Sequence, residues 1–161
     1  MHSLYKKNSG FTLIELITTL LIGALLLVWG VPNYRDFKIR KHITDVANQT
    51  VYSLSFARAE AVRYGTNVTV SPNVGGWQNG WTTTAIGVDG NPDRVLAVQE
   101  PIDDTVVFSQ TGTLNGTITF NRIGGLIGGN AGRFDITNSN ATGVNKSVLI
   151  SLNGTSKVVK L

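Results

Sequence analysis

No cysteine occurs in the 161 residues, which excludes disulfide frameworks, cysteine-ligated zinc, iron–sulfur clusters and thiol nucleophiles while leaving the redox compartment open. Histidine is almost as scarce, at positions 2 and 42 only, so a multi-histidine metal site or a histidine-dependent triad has almost nothing to be built from. Charged residues make up 15% of the chain against an ordinary apolar share of 42%, a balance that excludes a disordered protein. A one-sided charge is missing too. The net charge is +4, but with Lys6 and Lys7 set aside twelve basic residues face ten acidic ones, too little to argue for a polyanionic partner. The length fits about one globular domain.

What the chain does have is a long apolar run near its start. From Phe11 to Val31, FTLIELITTLLIGALLLVWGV, the only ionisable side chain is Glu15. At about 1.5 Å per residue the run reaches roughly 30 Å, the thickness of a bilayer's hydrocarbon core. MHSLYKKNSG before it is short, polar and basic, as in a secretory signal. The apolar run is nevertheless longer than a signal's hydrophobic region, and no small-x-small cleavage site follows Gly30-Val31-Pro32. Glu15 stands out, because a carboxylate inside an apolar span costs a few kcal/mol unless it is paired. No cation lies at helical spacing within the span. The carboxylate could instead reach the headgroup region or take up a proton.

Beyond Val31 the apolar residues Ile39, Ile43, Val46, Ala47, Leu54, Ala57 and Ala61 recur at helical spacing and form one stripe. Gly65 follows Tyr64 where a helix would end. The spacing predicts a single helix of about fifty residues with Pro32 tolerated inside it; two helices broken at Pro32 are the alternative. From Gly65 onward Thr, Val, Ile, Asn and Gly dominate in short alternating runs. Strands are expected at 67–71, 81–88, 95–98, 105–109, 117–120, 133–137, 147–152 and 156–159, in antiparallel pairing. Asn153-Gly154 is expected to form a type I′ hairpin turn, and Asn115-Gly116 to do the same for the preceding pair.

Gly10-Phe11-Thr12-Leu13-Ile14-Glu15, preceded by Lys6 and Lys7 and followed by the apolar run and Pro32, resembles the class III signal of type IV pilins and type II secretion pseudopilins. The resemblance implies that a prepilin peptidase cuts between Gly10 and Phe11, that the new Phe11 amine is methylated, and that the apolar helix is kept. It also gives Glu15 a partner, the Phe11 amine of a neighbouring subunit, which would remove the charge penalty and set the register of packed helices. Charge counting does not supply the orientation, since Lys6 and Lys7 precede the span while Arg35, Lys38, Arg40 and Lys41 follow it. The resemblance implies a cytoplasmic N-terminus and a periplasmic domain.

The later residues are similar to the GspH/FimT group of minor pseudopilins and minor pilins. The similarity rests on SLSFARAEAVRYGTNVTV, on Phe120-Asn121-Arg122-Ile123-Gly124 and on the final hairpin at Asn153-Gly154. It covers nearly the whole chain, although the loops between Val74 and Pro101 match no named feature. The implied fold is α+β and type IV pilin-like, a long N-terminal helix packed on a small antiparallel β-rich domain. The implied divisions are a leader peptide (1–10), a transmembrane and polymerisation helix (11–31), its amphipathic continuation (32–64) and a periplasmic β-rich domain (65–161).

Other residues invite readings that their context weakens. The stretch 124–132, GGLIGGNAG, lacks the Gly-Lys-Ser/Thr ending of a phosphate loop and reads as a flexible connection. Trp77 and Trp81 read as packing anchors. His42, beside Lys41, reads as a solvated helix residue. Arg58 and Glu60 are two apart and are not expected to form local pairs. Asp103-Asp104 are adjacent, so they point apart rather than forming a catalytic carboxylate pair.

No catalytic residues, metal ligands or cofactor follow from this pattern, and the chain reads as a building block and not an enzyme. The expected function is a minor pseudopilin of the type II secretion pseudopilus in the inner membrane. Its partners would be other pseudopilins or pilins and the prepilin peptidase. A minor pilin that primes type IV pilus assembly is the alternative. Some FimT-like members bind DNA through a Gly-Arg-x-Arg hairpin, where this chain has Gly154-Thr155-Ser156-Lys157 and then Lys160. The arginines are missing, so nucleic acid is not an expected partner beyond a weak, salt-sensitive phosphate contact through Lys157 and Lys160.

Overall fold

The computed structural model describes residues 10–87, 90–112, 114, 116–128 and 131–160. A single helix, α1, runs from Leu13 to Tyr64 over 52 residues and passes through Pro32 without interruption, so the two-helix alternative is set aside. Proline has no N–H to give the Val28 carbonyl. One residue on, the Asn33 side-chain amide donates to the Trp29 carbonyl at 2.9 Å, adding a bond beside the gap. Gly65, with φ of +64°, ends the helix in the left-handed conformation that its missing Cβ allows.

The chain divides inside α1 into two compact units, residues 1–38 and 39–161. In the described part of the first unit, the side chains of Phe11, Leu13, Ile14, Leu20, Leu26 and Trp29 are all more than half exposed. The helix is long and apolar enough by length and composition to cross a membrane, with a mean hydropathy of 2.2 in its most apolar window. Its hydroxyls are satisfied locally. Thr18 donates to the Ile14 carbonyl at 2.7 Å and Thr19 to the Leu16 carbonyl at 2.9 Å, which lowers the cost of placing them in lipid.

Among the described residues, the second unit packs the rest of α1 with eight strands: β1 (Val68–Pro72), β2 (Trp81–Ala85), β3 (Arg94–Gln99), β4 (Val106–Gly112), β5 (Ile118–Phe120), β6 (Gly132–Asn138), β7 (Ala141–Ile150) and β8 (Ser156–Val159). They form two four-stranded sheets, in the orders β3-β2-β1-β5 and β4-β6-β7-β8. Every pairing between them is antiparallel. Because β5 returns to the first sheet after β4 has joined the second, the two sheets are interlocked by the chain path.

One core joins all three layers. Ile43, Val46, Ala47, Leu54, Ala57 and Ala61 from α1 meet Val68, Val70, Ile118 and Phe120 from the first sheet and Phe134, Ile136, Val148 and Ile150 from the second. The expected helix stripe therefore holds, with two changes. Ile39 is only half buried, and Thr50 joins the buried face, its hydroxyl donating to the Val46 carbonyl at 2.9 Å. That local bond satisfies the polar group where an apolar residue would be expected.

Several expectations need correction. The terminal hairpin does not turn on Asn153-Gly154 as a type I′ pair. The Gly154 N–H donates to the Ser151 carbonyl at 2.8 Å, which places Leu152 and Asn153 at the centre of the turn. Asn153 Oδ1 accepts from the Thr155 N–H at 3.1 Å. The second expected hairpin does not form either, since β4 and β5 belong to different sheets; Asn115 itself lies outside the described residues, as does Val88 at the end of the second expected strand. β7 begins at Ala141, earlier than expected.

The connection after β5 is not loose over its described half. Asn121 Oδ1 accepts from the N–H groups of Ile123 and Gly125 at 3.0 and 2.9 Å, and Leu126 donates to the Leu152 carbonyl at 3.2 Å. Gly129 and Asn130 lie outside the described residues. Trp77 and Trp81 are packing anchors as expected: both are buried, and the Trp77 ring lies 4.8 Å from Phe134 and 5.7 Å from Trp81 between centroids.

Candidate functional site: the N-terminal end of the helix

The N-terminal end of α1 is built around a reciprocal cap. The Thr12 hydroxyl accepts from the Glu15 N–H at 3.3 Å, and Glu15 Oε2 accepts from the Thr12 N–H at 3.0 Å and from the Thr12 hydroxyl at 2.8 Å. Thr-x-x-Glu is the capping-box spacing, which satisfies donors that the first helical turn otherwise leaves open. The negative charge also sits at the positive end of the helix dipole. Thr12 is the residue that pattern reading passed over, although the capping-box spacing was present in the sequence.

Among the described residues, Glu15 Oε1 makes no hydrogen bond; both of the carboxylate's bonds fall on Oε2. Thr12 therefore orients the side chain and leaves one oxygen open. Phe11 is 79% exposed and Gly10 is also exposed, so the peptide bond between them is not shielded by the other described residues. Lys6 and Lys7 lie outside the described residues. Pro32 lies 17 positions after Glu15 in the same helix.

The other sequence candidates fall elsewhere. Lys157 is paired with Leu149, and strand alternation puts it on the opposite face of the β7–β8 hairpin from Lys160. The two lysines therefore do not form one patch. Lys160 instead shares a cleft with Arg40 and Lys146.

His42 is half buried and its Nε2 is closed off from solvent without a hydrogen-bond partner, so it is not the solvated residue expected. Asp103 opens the turn before β4: its carboxylate accepts from the Thr105 N–H at 2.8 Å, and this bond, with a smaller one to the Thr105 hydroxyl, holds its pKa below the usual aspartate value. Glu60 does form a local pair, accepting from Arg63 Nε at 3.0 Å and Nη2 at 2.5 Å, because the favourable partner lies three residues on. Arg58 Nε donates to the Gly124 carbonyl at 2.9 Å and ties α1 to the connection after β5.

Known proteins match both ends of this arrangement. Residues 46–154 match the family described as type II transport protein GspH, and residues 5–31 match the prokaryotic N-terminal methylation motif. A fimbrial protein of Pseudomonas aeruginosa is 29% identical over 103 residues, covering 63% of this chain. The chain spans 66% of the length of that relative.

Among solved structures, the type IV minor pilin FimU of Pseudomonas aeruginosa overlaps with a TM-score of 0.65 at 19% identity, covering 77% of this chain and 92% of that one. The minor pseudopilin EpsH from the type 2 secretion system of Vibrio cholerae overlaps with a TM-score of 0.57 at 13% identity, covering 73% and 96%. At these identities the likeness establishes the fold, which is type IV pilin-like.

Proposed function

The chain belongs to the GspH family, and from that membership we propose that it is a minor subunit of a pilin-like filament, anchored in the inner membrane with its β-rich domain in the periplasm. The proposed processing is cleavage between Gly10 and Phe11 by a prepilin peptidase, with Lys6 and Lys7 in the leader on the cytoplasmic side, followed by methylation of the Phe11 amine. Residues 11–31 then serve as membrane anchor and polymerisation helix, residues 32–64 continue it into the domain, and Pro32 marks the junction. Residues 65–161 make the domain contacts with other pilins or pseudopilins.

The observation that carries this reading is the half-satisfied carboxylate of Glu15. Thr12 holds Oε2 and leaves Oε1 open, so a neighbour's Phe11 amine can add a charged hydrogen bond without breaking the cap. In lipid such a pair removes a cost of a few kcal/mol and favours a single axial offset between helices.

Glu15→Ala tests it. The variant should still insert and be processed, and its share of assembled filaments should fall at least tenfold by immunoblot of sheared material; wild-type incorporation would overturn the role of Glu15.

Two finer readings remain, each with its own support. A type II secretion pseudopilus is supported by the family's description and by the overlap with EpsH. A type IV pilus is supported by the fimbrial-protein relative and by the larger overlap with FimU. Complementation separates them: the chain is expressed in a strain lacking a FimU-type minor pilin and in one lacking an EpsH-type pseudopilin. Restored surface pili in the first or restored export in the second assigns the machine.

A further inference from the structure

Three basic residues from three elements converge at one end of the second unit. Arg40 lies on α1, Lys146 on β7 and Lys160 just past β8, and together with Ile43, Thr44 and Val144 they line a cleft of about 270 Å³. Strand register explains the convergence. Ser147 pairs with Val159, so Lys146 and Lys160 are neighbours one step beyond the end of the ladder. Both share the face of buried Val148 and half-buried Val158, the face that α1 covers.

Among the described residues, no carboxylate lines the cleft, and the ion pairs are Arg63–Glu60 and Arg133–Asp135. Lys146 is half buried as well. Like charges placed opposite one another across strands repel, so the arrangement costs stability unless an anion offsets it.

We propose that this cleft binds the headgroup of an anionic phospholipid. The proposal rests on the reading of residues 11–31 as the membrane anchor. Arg40 follows Val31 by nine positions. That length of chain spans at most about 30 Å in any conformation, so Arg40 stays tethered close to the headgroup layer, and long basic side chains extend its reach. Tethering keeps headgroups at high effective concentration beside the cleft, an advantage that no soluble anion shares. It also gives a role to the positive charge after the span, where Arg35, Lys38, Arg40 and Lys41 outnumber Lys6 and Lys7 before it. A nucleic acid fits less well, since the three cations close on one cleft and do not form a stripe along which a phosphate backbone could run.

The test uses the full chain in nanodiscs of phosphatidylcholine, alone or mixed with phosphatidylglycerol, and reads lysine acylation rates residue by residue by mass spectrometry. Phosphatidylglycerol should slow acylation of Lys146 and Lys160 about fivefold, the effect should vanish in molar salt, and Lys157 on the opposite face should be unchanged. Arg40→Gln should weaken the protection of both lysines.

Equal rates in the two kinds of disc would overturn the proposal while leaving the anchor reading intact; failure of the chain to enter discs would remove both. Equal protection of Lys157 would mean diffuse surface charge and no specific cleft. Protection in phosphatidylcholine discs by free glycerol phosphate would mean a soluble-anion site, and protection only by a DNA duplex would mean a nucleic-acid face. Each of these results also overturns the proposal.

Discussion

Thr12 and Gly154 show how much single residues decide here. Thr12 both caps α1 and fixes the rotamer of Glu15, so its loss should act at two levels. Thr12→Val removes the hydroxyl and its cap, worth about 1 kcal/mol. Amide hydrogen exchange at Glu15 should then speed up about fivefold in detergent micelles; unchanged exchange would mean that the cap contributes nothing in solution. Gly154 has a φ of +79°, and a Cβ there would collide with the Gly124 carbonyl and lie 3.3 Å from Arg58 Nε. Gly154→Ala should therefore cost at least about 1–3 kcal/mol in denaturant unfolding. A neutral result would show that the turn can move away from α1. These constraints also explain why Asn153-Gly154 misleads as a sequence signal. The dipeptide is a strong type I′ indicator in an isolated hairpin, but here the glycine is required by a close approach to another segment.

At the scale of elements, α1 and the strands differ in how legibly the sequence encodes them. The helix is legible almost to the residue because its apolar run, its apolar stripe and its Gly65 stop all agree, whereas its Thr-x-x-Glu start went unread. Most strands were readable within a few residues from alternation. The division into two interlocked sheets was not, because the local pattern of β4 and β5 carries no information about which partners they pair with. Thr50 was invisible for another reason: a threonine bonded to its own helix can be buried at little cost. His42 was misplaced because neighbouring charge does not reveal which side of a helix faces the domain.

The stripe makes a strong prediction. Leu54 is buried with 1% exposure at the centre of the core, so Leu54→Ala should cost about 2–5 kcal/mol in equilibrium unfolding; a cost below that range would show that α1 packs loosely on the sheets. The turn before β4 predicts a pH effect. Asp103 has a folded-state pKa lowered mainly by the Thr105 N–H, so its stabilising contribution is present above the ordinary aspartate value and is lost as pH falls through the depressed one. Asp103→Asn should therefore lower the melting temperature at neutral pH and have a smaller effect in strong acid. A difference independent of pH would reject that assignment.

For the whole molecule, an apolar helical segment and a β-rich domain share one continuous helix. Under the proposed function, that continuity lets assembly through the apolar half carry the domain with it, provided that the segment is kept. The family relationship and the methylation-motif match supply the framework, and the open oxygen of Glu15 is the contact proposed to pack the helices. The most direct measurement is the intact mass, with N-terminal sequencing, of the polypeptide purified from membranes of cells carrying a prepilin peptidase. The account predicts a chain that starts at Phe11 with a methylated amine and retains the whole apolar helix. A chain that still starts at Met1, or one that starts beyond Val31, would contradict it.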